Sequence, residues 1–596
     1  MEFVSEIVNP LGAARGRHKV VQVFWTLADI PRHQRSSIDR LQLAMIVKEK
    51  LIKKYGYKVI YRQLIQDLKK LEEGILIHKP VSRLVKCGLL LHSGDNLESH
   101  TVGGFSTCFS SSYICRFCHI AYNALVDHIH TFDGEVPHMP WTIDEYDSIC
   151  QVLESAEVEE DLEPVCVTEL EEHMFDEFEE PFATIDEDDS DTEGAESSED
   201  ADSNEDAESN NYEEECFEKY GLRERCIFNS LQSFHAVSGL PPDIMHDLYE
   251  GVIAQDLWGV IKILSSKEWF TLADYNQALM RHKFKSYEAH EKPQPLPNSK
   301  ALKLTGKAVS VWLHLRCFGM ILQPFVKDID DGVLSLALLL SDISNRLAAI
   351  EFREWEIEAL EELIIDYLEQ RKIVFESFPA LMGTPKCKHH YLTHYPEAIR
   401  KNGPPFAYWT GRFESKHRVA KSMAESAKNF KNISATLASN QQLRMASVFY
   451  AGIFDTSCIQ IPDEVVKKSS IPNDVLVDNS LHEFMRPADA ICSQIVINSQ
   501  RYINGDLIVL KVVDRDMIEV GVLKTIVIRP STETYFVVKK FIAQCNKLYF
   551  YETIESNDTL HYVNSLDLYD FKPLIRYGTD LAFKFYLHHH ISFTYD

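Results

Sequence analysis

The spacing of hydrophobic and polar residues predicts mixed α/β structure for residues 1–125. Residues 18–27 are rich in β-branched and aromatic side chains after a turn-forming stretch, which predicts a strand. Leu, Ile and Tyr recur at helical spacing over residues 41–69, and this predicted helix is interrupted near Gly56. Residues 85–91 form a short apolar run, which we interpret as a strand that ends just before Asp95.

The pattern becomes helical further along the chain and then changes to strands. From residue 240 to 378, apolar side chains follow Pro241-Pro242-Asp243 along one helix face, and two more helices are predicted over 333–350 and 354–375. Residues 386–450 begin with clustered histidines and continue with helical spacing. The last part predicts a small all-β barrel or sandwich, because turn residues separate strand-like runs at 507–513, 520–528, 534–541, 547–552 and 583–593.

The acidic charge of the chain is concentrated in one segment. The 596 residues carry a formal net charge of -29, but 30 Asp and Glu and no Lys or Arg lie between Glu154 and Glu218. The rest of the chain has 60 acidic and 61 basic residues and is therefore close to neutral. The segment lacks hydrophobic periodicity after Phe182 and cannot bury enough apolar surface to offset its ordering entropy. We therefore expect it to be disordered.

Composition excludes several classes of protein. The longest strongly apolar run, near Val333 to Leu340, is far shorter than the roughly 20 residues of a membrane span. No N-terminal stretch combines a basic start, an apolar run and a cleavage site, so we do not expect secretion. The 13 cysteines are too sparse for a disulfide scaffold, and their odd number fits a reducing compartment.

Two pairs of metal-ligating side chains lie far apart in the sequence. Cys115 and Cys118 form a cysteine pair at close ligand spacing, and His389 or His390 precedes His394 downstream. Two cysteines and two histidines complete a tetrahedral zinc set, which would join parts of the chain about 270 residues apart. The alternatives are a chance Cys-x-x-Cys, and histidines at i and i+4 on a polar helix face.

An acidic residue lies 20 positions outside each pair. Asp95 precedes the first cysteine by 20 residues, and Glu414 follows the last histidine by 20 residues. A metal that joins the two pairs would also fix the distance between these acids. Each acid has a simpler interpretation as well: Asp95 caps the helix that follows it, and Glu414 pairs with Arg418 or Lys421 on one helix face.

This order of acid, Cys-Cys, His-His and acid resembles the DDE transposases of eukaryotic cut-and-paste elements, specifically the animal EnSpm/CACTA-type group. The matching motifs span residues 9 to about 440: NPLG at 9–12, GRHK at 16–19, GDNL at 94–97, GGF at 103–105, CRFC at 115–118, LPPDIMHDLYEGV at 240–252, HYLTHYP at 390–396 and FESKH at 413–417. The spacing of the zinc ligands also looks like that of the V(D)J recombinase catalytic subunit.

The resemblance implies an RNase H-like catalytic core in which three carboxylates bind two Mg²⁺ or Mn²⁺ ions. Asp95 would be the second carboxylate and Glu414 the third, with Glu250 as the alternative third acid. The ions would promote in-line attack of water or a 3′-hydroxyl on a DNA phosphodiester. The resemblance further implies that Asp243 and His246 form a structural or DNA-positioning motif.

Under this resemblance the chain divides into five parts. We expect the first half of the core over residues 1–125, an acidic low-complexity insertion over 126–220, a helical insertion over 221–385, the second half of the core over 386–455 and an all-β C-terminal domain over 470–596. The first catalytic Asp belongs on a strand before NPLG, where residues 1–6 contain Glu2 and Glu6 but no Asp. The expectation is therefore a truncated or domesticated transposase.

A basic region surrounds Glu414. Residues 386–431 contain ten Lys or Arg and three Glu, which suits contact with DNA phosphates, although an ordinary solvated helix has the same composition. The candidate DNA contacts are Arg412, Lys416, Arg418 and Lys421. The acidic segment is either a solubilising linker or a mimic of DNA phosphates, which would bind this basic face or basic chromatin proteins.

Three functions are consistent with the sequence. The first is metal-dependent DNA cleavage and strand transfer by a nuclear, transposase-derived enzyme with structural Zn²⁺ and catalytic Mg²⁺ or Mn²⁺. The second is a non-catalytic DNA- or chromatin-associated protein that keeps the zinc-stapled fold. The third is an interaction protein organised around the C-terminal β domain. A homodimer is compatible with each function, and the missing first Asp separates the first from the second.

Overall fold

The computed structural model describes most of the chain outside the acidic segment. The described residues are 2–6, 19–30, 35, 38–78, 81–109, 113–125, 139–157, 221–297, 300–427, 432–450, 459–460, 479–498, 500–514, 516–530 and 533–591. The start of the acidic segment belongs to a helix that ends at Glu157. The rest of the segment, for which the sequence predicts disorder, lies outside the described residues.

Helices dominate the middle of the chain and strands its end. The helices are α1 (Glu49–Ile60), α2 (Arg62–Glu73), α3 (Asn96–Val102), α4 (Ile143–Glu157), α5 (Ala236–Gly239), α6 (Ile253–Ser266), α7 (Leu272–Arg281), α8 (Glu288–Glu291), α9 (Ala308–Leu322), α10 (Gly332–Leu347), α11 (Glu354–Ser377), α12 (Pro379–Met382), α13 (Cys387–Tyr391), α14 (Tyr395–Asn402), α15 (Gly411–Ala427), α16 (Ile433–Tyr450) and α17 (Asn479–Phe484). A π-helix, Met245–Val252, leads directly into α6.

The strands fall into an N-terminal group and a C-terminal group. They are β1 (Glu2–Glu6), β2 (Lys19–Trp25), β3 (Gln42–Lys48), β4 (Ile75–Ile77), β5 (Arg83–Val85), β6 (Ile459–Gln460), β7 (Ala490–Cys492), β8 (Gln494–Ile497), β9 (Gln500–Ile503), β10 (Leu507–Val512), β11 (Met517–Ile528), β12 (Thr534–Cys545), β13 (Tyr551–Asn564), β14 (Tyr577–Gly578) and β15 (Phe583–Phe585).

The N-terminal strands form an antiparallel sheet in the order β1-β2-β3. Because side chains alternate along a strand, Phe24 of β2 packs with Phe413 of α15, whereas its neighbour Val23 joins the cluster on the other face that includes Tyr61. Val20 packs with α15 and α16 through Ala420 and its neighbours. The helix around Glu414 is therefore seated on this sheet.

Two sequence predictions for this region are confirmed and one is wrong. Residues 18–27 contain strand β2, and the predicted helix over 41–69 is interrupted at Gly56, where φ is 73°. The start of that predicted helix is a strand instead, because residues 42–48 pair with β2 as β3. Residues 43–47 form a short apolar run, and such a run has no periodicity that distinguishes a buried strand from a segment of helix.

The segment before Asp95 is not the predicted strand. The hairpin of β4 and β5 ends at Val85, and residues 86–95 have no regular secondary structure. The backbone N–H groups of Cys87 and His92 donate to the carbonyls of Leu71 and Gly239, at 2.9 and 2.8 Å. These donors are thus satisfied by α2 and by the end of α5 instead of by a neighbouring strand.

The middle of the chain is organised around one large hydrophobic core. Trp258 of α6 is fully buried in it, together with side chains of the π-helix, α9, α10 and α11. The predicted helices over 333–350 and 354–375 are confirmed as α10 and α11. The helix predicted after Pro241-Pro242-Asp243 is also present, but its first turns are π-helical, a conformation that is frequent at functional sites.

The C-terminal region is all-β, with a main sheet in the order β10-β11-β12-β13-β15-β14. The strands predicted over 507–513, 520–528 and 534–541 are confirmed within β10, β11 and β12. The strand predicted over 547–552 is misplaced, because Leu548 and Phe550 leave the sheet to pack into the helical core and β13 begins only at Tyr551. Of the strand predicted over 583–593, the described residues 583–591 form a strand only at Phe583–Phe585.

The structure is therefore mixed helix and sheet, followed by an all-β C-terminal region. In the described part of the chain, β1–β3 and β4–β5 belong to separate sheets, both of them antiparallel. Among the same residues, none of the helices has both the length and the apolar character that a membrane span requires.

Candidate metal centre and acidic site

Four metal-ligating side chains meet at one point of the structure. Cys115 and Cys118 lie in a loop, and His390 and His394 lie on α13 and the turn between α13 and α14. The Cys118 Sγ is 3.1 Å from His390 Nε2, the Cys115 Sγ is 3.5 Å from His394 Nε2, and the two Nε2 atoms are 2.9 Å apart. We call these four residues the metal centre.

The metal centre fits a small tetrahedral ion. One ligand atom from each side chain lies within 4.8 Å of all the others. A tetrahedral zinc with bonds of about 2.0–2.3 Å separates its ligand atoms by roughly 3.3–3.8 Å, so small shifts would complete the coordination. Three of the four side chains are buried. The metal centre therefore differs from clusters of exposed carboxylates, which are common on protein surfaces without a bound ion.

The protonation of the metal centre also suits a metal. Burial lowers the pKa of His394, so its imidazole is neutral and can donate a lone pair. Burial alone would raise the pKa of Cys115, but the neighbouring Cys118 thiol and the two imidazoles hold that pKa well below its ordinary value. Burial and the adjacent Cys115 raise the pKa of Cys118. The pair thus favours one thiolate, and a bound cation would stabilise the second.

The structure distinguishes the two histidines that the sequence left open. His390 belongs to the metal centre. His389 points elsewhere, and its Nε2 lies 3.1 Å from Oδ1 of the buried Asp256. Arg371 donates to the same carboxylate through Nε at 2.8 Å. His389 therefore anchors α13 to α6 and α11 while its neighbour faces the cysteines.

A buried polar network connects the metal centre to the helix after Asp243. Arg116, between the two cysteines, donates to Asn96 Oδ1 at 2.8 Å and to the carbonyls of Leu240 and Pro241 at 3.2 and 3.0 Å. Asn96 Nδ2 donates in turn to Asp247 Oδ1 at 2.6 Å. Sequence reasoning missed these partners; the one signal was a charged residue inside Cys-x-x-Cys.

Asp247 closes this network on the side of the histidines. The hydroxyl of Tyr395, the residue after His394, donates to Asp247 Oδ2 at 3.2 Å. Asp247 is fully buried, and burial raises its pKa despite the nearby Arg116 guanidinium. A neighbour of each ligand pair is thus linked to Asp247. Tyr395 bonds to it directly, and Arg116 is linked to it through Asn96.

Asp95 caps α3, which is the simpler of its two interpretations. Its Oδ1 accepts a hydrogen bond from the backbone N–H of Glu98 at 2.8 Å. The cap uses one carboxylate oxygen and leaves the side chain partly exposed. The next residue, Asn96, donates to Asp247 of the π-helix.

Glu414 joins Asp243 and His246 in one ionic group. His246 Nδ1 lies 2.7 Å from Asp243 Oδ2, and His246 Nε2 lies 3.1 Å from Glu414 Oε1. Buried Thr410 donates to Asp243 through its backbone N–H at 2.8 Å and its hydroxyl at 2.6 Å. Glu414 thus bonds across to the π-helix, whereas the sequence alternative was a pair with Arg418 on its own helix. We call Asp243, His246 and Glu414 the carboxylate–histidine triad.

The triad holds a positive charge on His246. Burial lowers the pKa of His246, but the hydrogen bonds and charges of Asp243 and Glu414 outweigh it and raise the pKa to about 11. At neutral pH an imidazolium therefore lies between two carboxylates. A divalent cation at Glu414 would have to displace this imidazolium or use the carboxylate oxygen that faces away from it.

Asp95 and Glu414 connect to adjacent residues of the π-helix. Asp95 precedes Asn96, which bonds to Asp247, and Glu414 bonds to His246. Glu414 thus contacts the π-helix directly, whereas Asp95 is linked to it through its neighbour Asn96. Glu250 lies one turn further along, where its backbone carbonyl accepts from Lys303 Nζ at 3.4 Å.

The strand expected to carry the first catalytic acid is β1. Glu2 and Glu6 are the ends of β1, whose backbone pairs with β2, and their side chains lie outside the described residues.

The four basic residues predicted to contact DNA separate into two groups. Arg412, Arg418 and Lys421 are exposed on α15. Lys416 is fully buried and donates from Nζ to the Ile38 carbonyl at 2.8 Å, and burial lowers its pKa to about 8. Its predicted role is corrected for that reason: Lys416 attaches α15 to the N-terminal region instead of facing solvent.

No protein-family model matches this chain, and no curated protein matches it. What the residues above can do chemically is therefore the basis of the function proposed next.

Proposed function

We propose that this chain is a transposase-derived protein of the DDE type, whose ancestral activity is metal-dependent DNA cleavage and strand transfer in the nucleus. The observation that carries the proposal is the metal centre, which unites two ligand pairs 272 residues apart in the order that the motif resemblance requires.

Zn²⁺ is the metal that we assign to this centre. Two thiolates and two imidazoles are the ligand set of structural zinc sites, and all four positions come from the protein, which leaves no open site for catalysis. The ion would act as a staple between the loop at residues 113–118 and α13–α14. It would thereby hold the network of Arg116, Asn96 and Asp247 in register.

An RNase H-like core is the fold that we propose around this site. The N-terminal sheet has helices on both faces, and α15, which carries Glu414, packs directly on β2. In such a core the C-terminal acid reaches the active site from a helix laid against the sheet. The arrangement of β2 and α15 supports that topology.

Asp95 and Glu414 would supply carboxylate oxygens to Mg²⁺ or Mn²⁺, which prefer such ligands. Ions held there would activate a water or a 3′-hydroxyl and stabilise the leaving oxygen. Among the protein's own groups, the Glu98 backbone N–H fixes Asp95, and His246 orients Glu414. The exposed Arg412, Arg418 and Lys421 offer positive charge to the DNA backbone.

A second candidate is a DNA- or chromatin-associated protein without catalysis, and one observation favours it. The imidazolium of His246 already neutralises Glu414 and Asp243, so two predicted or neighbouring acids are satisfied without a metal. Together with the absence of Asp from residues 1–6, this supports a fold that keeps its zinc staple and its basic face.

A plasmid-nicking assay tests the proposal. Supercoiled DNA is incubated with the zinc-loaded chain and Mg²⁺ or Mn²⁺, and the same is done with Asp95→Asn and Glu414→Gln. Both substitutions keep the local hydrogen bonds, because Asn caps a helix as well as Asp and Gln still accepts from His246. Glu397→Gln is the matched control, since Glu397 is exposed on α14 and pairs with Lys401 at 3.3 Å.

If the chain is an enzyme, we expect the rate of nicking to fall about 100-fold or more in both variants and to stay unchanged in the control. DNA binding without nicking would support the second candidate. A chain that neither nicks nor binds DNA would contradict both.

A further inference from the structure

Apolar side chains cover the hairpin of β4 and β5 and its connecting loop. The six side chains are between 36% and 62% exposed: Ile75, Leu76, Ile77, Val81, Leu84 and Val85. The strands pair through Ile75 with Val85 and Leu76 with Leu84. Because successive residues of a strand point to opposite faces, both faces of this hairpin are apolar and open. We call these six residues the apolar hairpin.

Hydrogen bonds at its base connect the apolar hairpin to the rest of the described structure. Cys87 N–H donates to the Leu71 carbonyl at 2.9 Å, and Glu72 accepts from the backbone N–H of Ser233 at 2.8 Å. None of its six apolar side chains belongs to a hydrophobic cluster among the described residues. A two-stranded hairpin of this length is only marginally stable in water without a partner surface. Among the described residues, no further strand pairs with either edge of this hairpin.

The charge around the apolar hairpin limits what can cover it. Residues 75–86 contain Lys79, Arg83 and Lys86 and no Asp or Glu, and both Arg83 and Lys86 are exposed. A second copy would bring equal positive charges together. An occupant with apolar side chains and carboxylates fits both properties of the surface.

Residues 158–218 of the same chain have this composition. They hold 28 Asp and Glu and no Lys or Arg. Apolar residues are interspersed in the first part: Leu162, Val165, Val167, Leu170, Met174, Phe175, Phe178 and Phe182. No other stretch of comparable length in the sequence combines such residues with an excess of acid and no base.

Both ends of this stretch are tied to the region that carries the apolar hairpin. Before the stretch, Glu154 of α4 accepts a hydrogen bond from Nε of Arg225, which follows the stretch, at 2.7 Å. The residues that flank the stretch on its two sides therefore lie close together. After it, the N–H groups of Gln232 and Ser233 donate to Glu72 at the hairpin base. About 60 residues reach far beyond this separation, and tethering of this kind gives effective concentrations on the order of millimolar.

We propose that the apolar hairpin is a docking surface for the acidic segment 158–218 of the same chain. Apolar side chains of the segment cover the hairpin, and its carboxylates pair with Arg83 and Lys86. This proposal is independent of the DNA-related function, because it involves neither the metal centre nor the triad.

Site-specific photo-crosslinking in the full chain tests the docking. The photoreactive residue p-benzoylphenylalanine replaces Leu84, and in a control it replaces Met280, an apolar residue of α7 that is also exposed. Both positions are on the surface, so the fold tolerates the larger ring. Adducts are formed at submicromolar protein, sized, and mapped by mass spectrometry.

We expect Leu84 adducts within residues 158–218, at monomer mass and about tenfold more abundant than from the Met280 position. Arg83→Glu with Lys86→Glu should reduce them several-fold, and so should high salt. Adducts at dimer mass would show that a second copy covers the hairpin. Adducts elsewhere in the chain, or equal yields from the two positions, would also overturn the proposal.

Discussion

His389 and His390 are adjacent in the sequence but have opposite roles in the structure. His390 faces the two cysteines, whereas His389 bonds to Asp256 beside Arg371. Asp256 is completely buried, and although burial raises its pKa, Arg371 and His389 hold that pKa well below the ordinary range. Loss of His389 therefore weakens a buried ionic group, while loss of His390 removes a ligand.

Substitutions of the two histidines should separate metal binding from stability. His390→Ala should reduce bound zinc to about one tenth or less, because three ligands hold the ion far more weakly than four. His389→Ala should keep zinc near one per chain but lower the free energy of unfolding by about 1–3 kcal/mol, because Asp256 loses a hydrogen bond. Metal content and urea unfolding measure the two effects, and zinc loss in His389→Ala alone would contradict the assignment.

His246 makes the stability of the chain depend on pH. Its pKa is about 11 in the folded protein, against about 6.5 for a free histidine. The folded state therefore holds a proton that the unfolded state releases. The stabilisation is fully present below about pH 6.5, declines above that value, and is lost as the pH passes the folded pKa.

The variant His246→Gln should remove this dependence. Between pH 7 and pH 9.5 the free energy of unfolding of the natural chain should fall relative to that of the variant, which should be less stable by about 3 kcal/mol at pH 7. Urea unfolding at several pH values measures this. A constant difference between the two chains across the range would show that His246 is not protonated in the fold.

Spacing in the sequence was enough to identify the two cysteines and His394 as candidate ligands. It did not decide between His389 and His390, and it did not identify the residues that orient the ligands. Cys115 and Cys118 form a recognisable pair, and His390 precedes His394 by one helical turn. Asn96 and Asp247 meet across 151 residues, and neither is unusual in its own segment. Such long-range hydrogen bonds depend on how whole elements pack, which no local pattern encodes.

At the scale of elements, α15 packs on the sheet but leaves part of its surface in solvent. Arg412, Arg418 and Lys421 are exposed, whereas Lys416 is buried. Charge counting could not separate them, because the sequence shows four basic residues in one short stretch. The buried lysine is recognisable only once Ile38 is known to lie against it.

The two groups of basic residues should respond differently when DNA binding is measured. Arg418→Ala should weaken binding and lower the slope of log affinity against log salt by about one, since one phosphate contact is lost. Lys416→Met should leave the slope unchanged while altering stability. Fluorescence anisotropy with labelled duplex DNA over a range of NaCl concentrations gives both values, and a reduced slope for Lys416→Met would contradict the orientation of α15.

The errors of element prediction have related causes. Residues 42–48 have helical spacing and β-branched content at once, and pairing with β2 decides the outcome. Residues 547–552 have the apolar content of a strand, but the side chains of Leu548 and Phe550 do not pack within the sheet. They pack into the helical core, where the Leu548 carbonyl lies against Gly319. Tertiary contacts override local preference in both places.

At the scale of the whole molecule, the metal centre is the link between distant parts of the chain. It joins the loop before α4 to the helices that follow the large helical core, and its network ends on the π-helix that carries His246. Mixed α/β structure, a helical middle and a C-terminal all-β region could be predicted from periodicity alone. The way in which the sheet, the core and the metal centre meet could not.

Zinc K-edge X-ray absorption of the purified chain tests the central claim most directly. The metal centre predicts one zinc per chain with two sulfur ligands at about 2.3 Å and two nitrogen ligands at about 2.0 Å. Cys118→Ser should lose the ion, whereas Cys108→Ser, at an exposed cysteine outside the metal centre, should keep it. A folded chain without zinc, or a zinc shell without sulfur, would contradict the account.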